Sequence, residues 1–141
     1  MKLSSSEIIL IKKSWSLFRI IDSAIIGDVF YGRLFLEEPS LRKMFPASMN
    51  GQYAKLFDMI TYFVSRLERR DEIAADIRQL AIRHVNYGVK ERHYAVVGHA
   101  LIWTLMKGLG EDWNPEMKEA WTNCYDYFSQ SMIQAVSAKT E

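Results

Sequence analysis

Apolar residues recur every three or four positions along most of this chain, and no stretch shows sustained alternation with polar ones. Ile8, Ile11, Trp15 and Phe18 form the first such series, a spacing that puts all four on one face of an α-helix. Ser4 stands before it with Glu7 three residues on, so a hydroxyl and a carboxylate can satisfy free N–H groups at the helix start. A second helix is predicted from near Asp22, carrying Ile26, Phe30 and Leu34 and ending before Pro39. Pro39 to Phe45 reads as a short helical turn, Pro46 biases Phe45 toward extended backbone, and residues 47 to 51 form a loop. Leu56, Met59, Ile60, Phe63, Val64 and Leu67 then make one continuous stripe, followed by a charged surface turn from Glu68 to Glu72. Ile73, Ile77, Leu80, His84 and Tyr87 mark a fourth helix that stops at Gly88. Tyr94, Val97, Leu101 and Leu105 mark a fifth, ending near residues 108 to 110. The last begins near Asn114 and Pro115 and carries Met117, Trp121, Cys124, Phe128 and Met132. The expected class is all-α, with about six substantial helices.

Composition narrows the range of functions. The 141 residues fit a single domain over residues 1 to 141, with 49% apolar and 25% charged residues. Eighteen basic residues balance seventeen acidic ones, so no basic field exists to grip a phosphate backbone and no nucleic-acid partner is expected. No run of about 18 apolar residues occurs, and the first residues lack the pattern of a signal peptide, so neither membrane nor export is expected. A cytoplasmic location is the simple expectation. One cysteine, Cys124, rules out an internal disulfide framework and a cysteine-only metal site, and its place on the last helix suggests burial.

The chemistry-bearing residue that stands out is His84, because its helix calls for a core side chain there. The ordinary use of such a position is a buried imidazole bonded to a neighbouring carbonyl or tyrosine hydroxyl. A metal or cofactor ligand is the alternative. His93 and His99 are six apart and do not share a helical face. Paired zinc-ligand spacings, glycine-rich phosphate loops and nucleophile elbows are all missing.

Several stretches resemble the bacterial globins, in order and with compatible spacing. They are Phe-Tyr-Gly-Arg-Leu-Phe-Leu-Glu-Glu-Pro-Ser-Leu-Arg-Lys-Met-Phe from Phe30 to Phe45, and Gln-Tyr-Ala-Lys-Leu from Gln52 to Leu56. Arg-His-Val-Asn-Tyr-Gly-Val from Arg83 to Val89, His-Tyr-Ala-Val-Val-Gly from His93 to Gly98, and Ala120-Trp121 with Tyr125 complete the set. Together they are similar to the globin domain of flavohaemoglobins and to neuroglobin-like proteins, which implies a three-over-three helical sandwich of six to eight helices around a haem pocket.

The resemblance implies haem b (iron protoporphyrin IX), with His84 as the proximal iron ligand. Phe45 would press against the porphyrin, Val89 and Val97 would touch it from the proximal side, and Tyr94 would lie near His84. Tyr31 and Gln52 would face a bound diatomic gas (oxygen, nitric oxide or carbon monoxide), with Leu56 closing the distal pocket. Flavohaemoglobins also set a glutamate of the last helix beside the proximal histidine. Here no Asp or Glu occurs between Asp126 and Glu141, and the position falls near Val136, so Tyr94 or a backbone carbonyl is expected to orient His84 instead. The chain stops about where a globin domain stops, so turnover as a nitric oxide dioxygenase would require a separate reductase. Reversible gas binding with tight oxygen retention is the leading expectation, dioxygenation the second, and a haem-free helical interaction module the third. Trp103 and His99 receive no functional role and are expected at the surface or at a contact between copies.

Overall fold

Helix starts follow the polar residues that cap them. Ser4 accepts from the Glu7 N–H while Glu7 accepts from the Ser4 N–H, at 3.1 and 3.0 Å. Asp22 accepts from the Ala24 N–H and Asn114 from the Met117 N–H, at 2.9 and 2.8 Å. In the computed structural model, which describes residues 3–140 with side chains to residue 137, these caps open three of six α-helices. The helices are α1 (Ser5–Phe18), α2 (Ser23–Glu37), α3 (Asn50–Val64), α4 (Ala74–Asn86), α5 (Glu91–Leu109) and α6 (Pro115–Thr140). Short 3-10 segments, Pro39–Met44, Leu67–Ile73 and Gly110–Asp112, join some of them. No strand occurs among the described residues, and none of their helices is long and apolar enough to cross a membrane.

The third apolar stripe is not one helix. α3 ends at Val64, and Leu67 opens the 3-10 segment that follows, fully buried. Side chains take over one of the last carbonyls of α3: Ser65 Oγ and the Arg66 guanidinium both donate to the Tyr62 carbonyl, at 2.8 and 3.1 Å. Arg66 also lies 3.8 Å over the Tyr62 ring, and Arg69 then leaves helical geometry at φ −127°, ψ 50°. Tyr87, placed by its spacing on the apolar face of α4, is 63% exposed. It is the C-cap of α4, its N–H still bonded to the Arg83 carbonyl, and its side chain shares a cavity wall with Leu80 and His84. Gly88 follows at φ +90°, a left-handed turn that a side chain would strain.

α2 crosses α3 and α5, while α6 runs along α1, α4 and α5. The largest apolar cluster joins Ile11, Trp15 and Phe18 of α1 to Leu105 of α5 and to Ala120, Trp121 and Cys124 of α6. Its two indoles are satisfied across helices. Trp121 Nε1 donates to Ser14 Oγ at 2.7 Å, and Trp15 Nε1 donates to Thr61 Oγ1 at 3.1 Å. Ser14 is fully buried and passes its own proton to the Leu10 carbonyl at 2.8 Å. A serine on an apolar face is thus explained by the tryptophan opposite it. Ser14→Ala leaves the Trp121 N–H buried without an acceptor and is expected to cost about 1–3 kcal/mol. Urea denaturation of the two proteins measures this, and equal midpoints would show that the bond adds nothing.

Candidate functional site

Between these helices lies a cavity of about 440 Å³, walled by Phe45 and Pro46, by α3 and α4, and by the inner faces of α5 and α6. Leu56, Met59, Ile60 and Phe63 of α3 are only partly buried because they face this space rather than other side chains. The wall is mostly apolar, with a few convergent polar groups, the usual character of a small-molecule site. His84, Gln52, Phe45, Leu56, Val89, Tyr94 and Val97 all line it.

On the α4 side, His84 Nδ1 lies 2.8 Å from the Leu80 carbonyl oxygen one turn earlier. A carbonyl can only accept, so Nδ1 carries the proton and Nε2 keeps a free lone pair. Burial, with help from the nearby Arg83 charge, pushes the imidazole below the ordinary histidine range against the opposing Leu80 bond, so it is neutral at neutral pH. The Tyr94 ring stacks on His84 at 6.3 Å and 20°. Val136 packs in the cluster that contains Tyr94, Ile77 and Ala81, an apolar backing to this side of the cavity. Of the two orienting groups expected for His84, a backbone carbonyl makes the hydrogen bond and Tyr94 supplies the stack.

On the α3 side, Gln52 Nε2 donates to the Tyr31 hydroxyl oxygen at 3.0 Å. Tyr31 itself sits one residue behind the wall, 4% exposed, with its ring against Phe30, Phe35, Phe45 and Tyr53. Burial raises its hydroxyl pKa to about 12, against a smaller lowering by Gln52, so the phenol keeps its proton. Phe45 is held extended before Pro46 (φ −119°, ψ 155°), and Arg42 braces the corner by donating to the carbonyls of Phe45, Pro46 and Ala47.

Other residues of the wall were not foreseen. Cys124, expected merely to be buried, lines the cavity beside Trp121, and burial holds its thiol protonated at a pKa of about 12. His93 was set aside for its spacing from His99. It lines the cavity too, and its Nδ1 accepts the Lys90 N–H at 2.9 Å as the cap of α5. Its place three residues past the helix start was the available signal, since N3 is where a side-chain acceptor reaches back to the cap. Trp103, on α5 and partly buried, has Arg33 of α2 and Lys107 of its own helix at 4.9 and 5.4 Å from its ring centre.

No group of three or more His, Cys, Asp or Glu side chains among the described residues could enclose a metal ion. A single imidazole lone pair on an apolar wall suits instead a metal whose other positions are filled by a flat organic ligand. The globin family model matches residues 28–132. This chain belongs to the globin family. Globins hold haem and take up diatomic gases, and the cavity, with the free Nε2 lone pair of His84 on its wall, fits that cofactor. The chain is 26% identical over 112 residues to a flavohemoprotein of Vibrio cholerae, covering 77% of this chain but only 28% of that protein. It is 27% identical over 139 residues to leghemoglobin of Canavalia lineata, covering 92% and 93% of the two chains. A bacterial globin from Campylobacter jejuni shares the fold at a TM-score of 0.83 and 22% identity, over 97% of this chain and 99% of that one. The all-α, three-over-three architecture read from the sequence is therefore the fold of this globin.

The buried His93 carries a pH signature. Burial, then the neighbouring Arg92, lowers the pKa of His93, with Glu38 opposing. A histidine depressed in the folded state adds stability above its unfolded pKa, near 6.5, and loses it as the pH falls through the folded value. Protonation at Nδ1 would also remove the acceptor of the Lys90 N–H. Haem-free protein is thus expected to weaken on acidification below about pH 6.5, and His93→Gln, which keeps an acceptor but does not titrate, to flatten part of that slope. Urea midpoints from pH 7.5 down to 4.5 test this. Parallel curves for the two proteins would exclude His93 as a source.

Proposed function

We propose that this globin binds haem b through His84 and retains oxygen, in preference to carbon monoxide, by hydrogen bonds from Tyr31 and Gln52. The observation that carries the reading is the 3.0 Å pairing of Gln52, on the cavity wall, with the Tyr31 hydroxyl behind it. When bound, the haem would supply an iron centre able to take up a diatomic gas. The Leu80 carbonyl keeps His84 in the tautomer that offers Nε2 to a metal. Phe45, Leu56, Val89, Tyr94 and Val97 give the macrocycle apolar walls and keep water away.

Gln52 donates to the oxygen of Tyr31, so the Tyr31 O–H is not taken up by Gln52 and would be available to a gas entering beside Gln52. That proton stays in place across the neutral range, since the hydroxyl titrates near 12. Oxygen as a ligand draws negative charge to its outer atom, and carbon monoxide draws less. A hydrogen bond to a charged acceptor contributes about 1.5–3 kcal/mol, roughly a tenfold to hundredfold gain in retention. Such retention suits scavenging, sensing or oxidative chemistry more than delivery. The orientation of His84 by a carbonyl, with Val136 in the backing cluster, favours binding over oxidative chemistry, because a neutral acceptor strengthens electron donation from the imidazole less than a carboxylate does.

A nitric oxide dioxygenase served by a separate reductase would use the same held oxygen. Apolar lining that includes Trp121 and Cys124 would suit entry of a second apolar gas, which favours this second reading. Stoichiometric loss of nitric oxide on mixing with oxygen-loaded protein, and turnover with an added reductase, would establish it.

Two substitutions test the main reading. His84→Ala is expected to lose the strong Soret band that wild-type protein gains with haemin. A folded wild-type protein that takes up no haemin would sink the proposal altogether. Tyr31→Phe is expected to raise the oxygen release rate about tenfold or more in stopped flow. An unchanged rate would remove Tyr31 from the shell around the gas.

A further inference from the structure

Tyr53 is the residue after Gln52 and has no part in the reading above, yet it contacts the same tyrosine. Its ring is stacked on Tyr31 at 5.7 Å between centres and 18° between planes. It also occupies a notch made by Gly27 on α2. A Cβ built at Gly27 would lie 2.2 Å from Tyr53 Cγ, 2.5 Å from Cδ1 and 2.6 Å from Cβ. These are root atoms of the side chain, which cannot swing aside as a flexible tip would.

Successive residues of a helix point about 100° apart, and this divergence lets neighbours on α3 hold one side chain at two places. Gln52 takes the hydroxyl end of Tyr31, and Tyr53 takes a face of its ring. The other rings against Tyr31 are Phe30 and Phe45, both edge-on, and Phe35. These aromatic rings offer no hydrogen-bond acceptor to fix the phenol along its long axis. Of the two contacts from α3, only the stack runs through Gly27 to the backbone of α2, the helix that bears Tyr31 itself.

We infer that Tyr53 is a positioning residue: seated on Gly27 and stacked on Tyr31, it sets where the Tyr31 hydroxyl meets Gln52 and the gas ligand. The inference rests on the distal role proposed for Tyr31 and names what makes that role geometrically exact. Tyr53 is not part of the cavity wall. Its action runs through Tyr31.

The test uses haem-loaded protein and two readouts, the oxygen release rate and the infrared stretch of bound carbon monoxide, which reports how a donor is placed against the ligand. Tyr53→Leu is expected to raise oxygen release roughly threefold to tenfold, the scale of losing one aromatic stack, and to shift or split the carbon monoxide band. Tyr53→Phe, which keeps the ring, is expected to restore wild-type values. Gly27→Ala is expected to act like Tyr53→Leu, since the added methyl group displaces Tyr53. In a Tyr31→Phe background, Tyr53→Leu should change oxygen release no further, because the route is already cut. An equal effect in both backgrounds would overturn the positioning role, as would an unmoved band and an unchanged rate in Tyr53→Leu. If Tyr31→Phe alone leaves oxygen release unchanged, the distal reading fails and this inference with it. Failure confined to the Tyr53 and Gly27 variants condemns only the inference.

Discussion

The hydrogen bond from His84 Nδ1 to the Leu80 carbonyl does what no packing contact in the cavity can do. It converts an ambiguous imidazole into a directed one, with a proton behind and a lone pair in front. The bond is made within α4, so it forms with the helix and depends on no distant element. Everything around it supports that orientation. Tyr94 stacks on the ring, Gly88 turns the chain away directly after α4, and burial keeps the ring uncharged. His93, nine residues later on the same wall, is fixed in the other sense, with Nδ1 accepting from backbone. One cavity thus holds two neutral histidines whose roles are set by the backbone groups beside them.

The opposite wall is organised by aromatic contact rather than by helix geometry. Tyr31 is a polar residue inside an apolar cluster, and its hydroxyl is tolerable there because Gln52 reaches it. The Arg42 brace on three successive carbonyls fixes the corner that presents Phe45. Precision on this side comes from many partners around one phenol. On the other side it comes from one bond within one helix.

Much of this was legible in the sequence, for reasons that differ between elements. α1, α2 and α6 could be placed because their caps, Ser4 with Glu7, Asp22 and Asn114, are local signals that act through the nearest backbone groups. The end of α3 was missed because periodicity carries through to Leu67, while the break depends on where Ser65 and Arg66 send their donors. His84 could be singled out from its place on an apolar face, but its tautomer needed coordinates. Tyr31 and Gln52 were named through resemblance; nothing in their local pattern tells that one bonds the other across 21 positions. Tyr53 could not be read at all, since its meaning lies in an absent Cβ on another helix.

Trp121 and Cys124 belong at once to the core under α1 and to the wall of the cavity. The same helix surface therefore closes two apolar volumes, and occupancy of one is felt as cohesion in the other. A ligand bound only by the folded chain stabilises it by an amount that grows with the logarithm of ligand concentration over the dissociation constant. Proteolysis draws on the unfolded fraction, so the lifetime of this chain in a cell would follow the supply of whatever fills the cavity. Abundance then becomes a readout of cofactor availability, arising from two side chains shared between core and pocket.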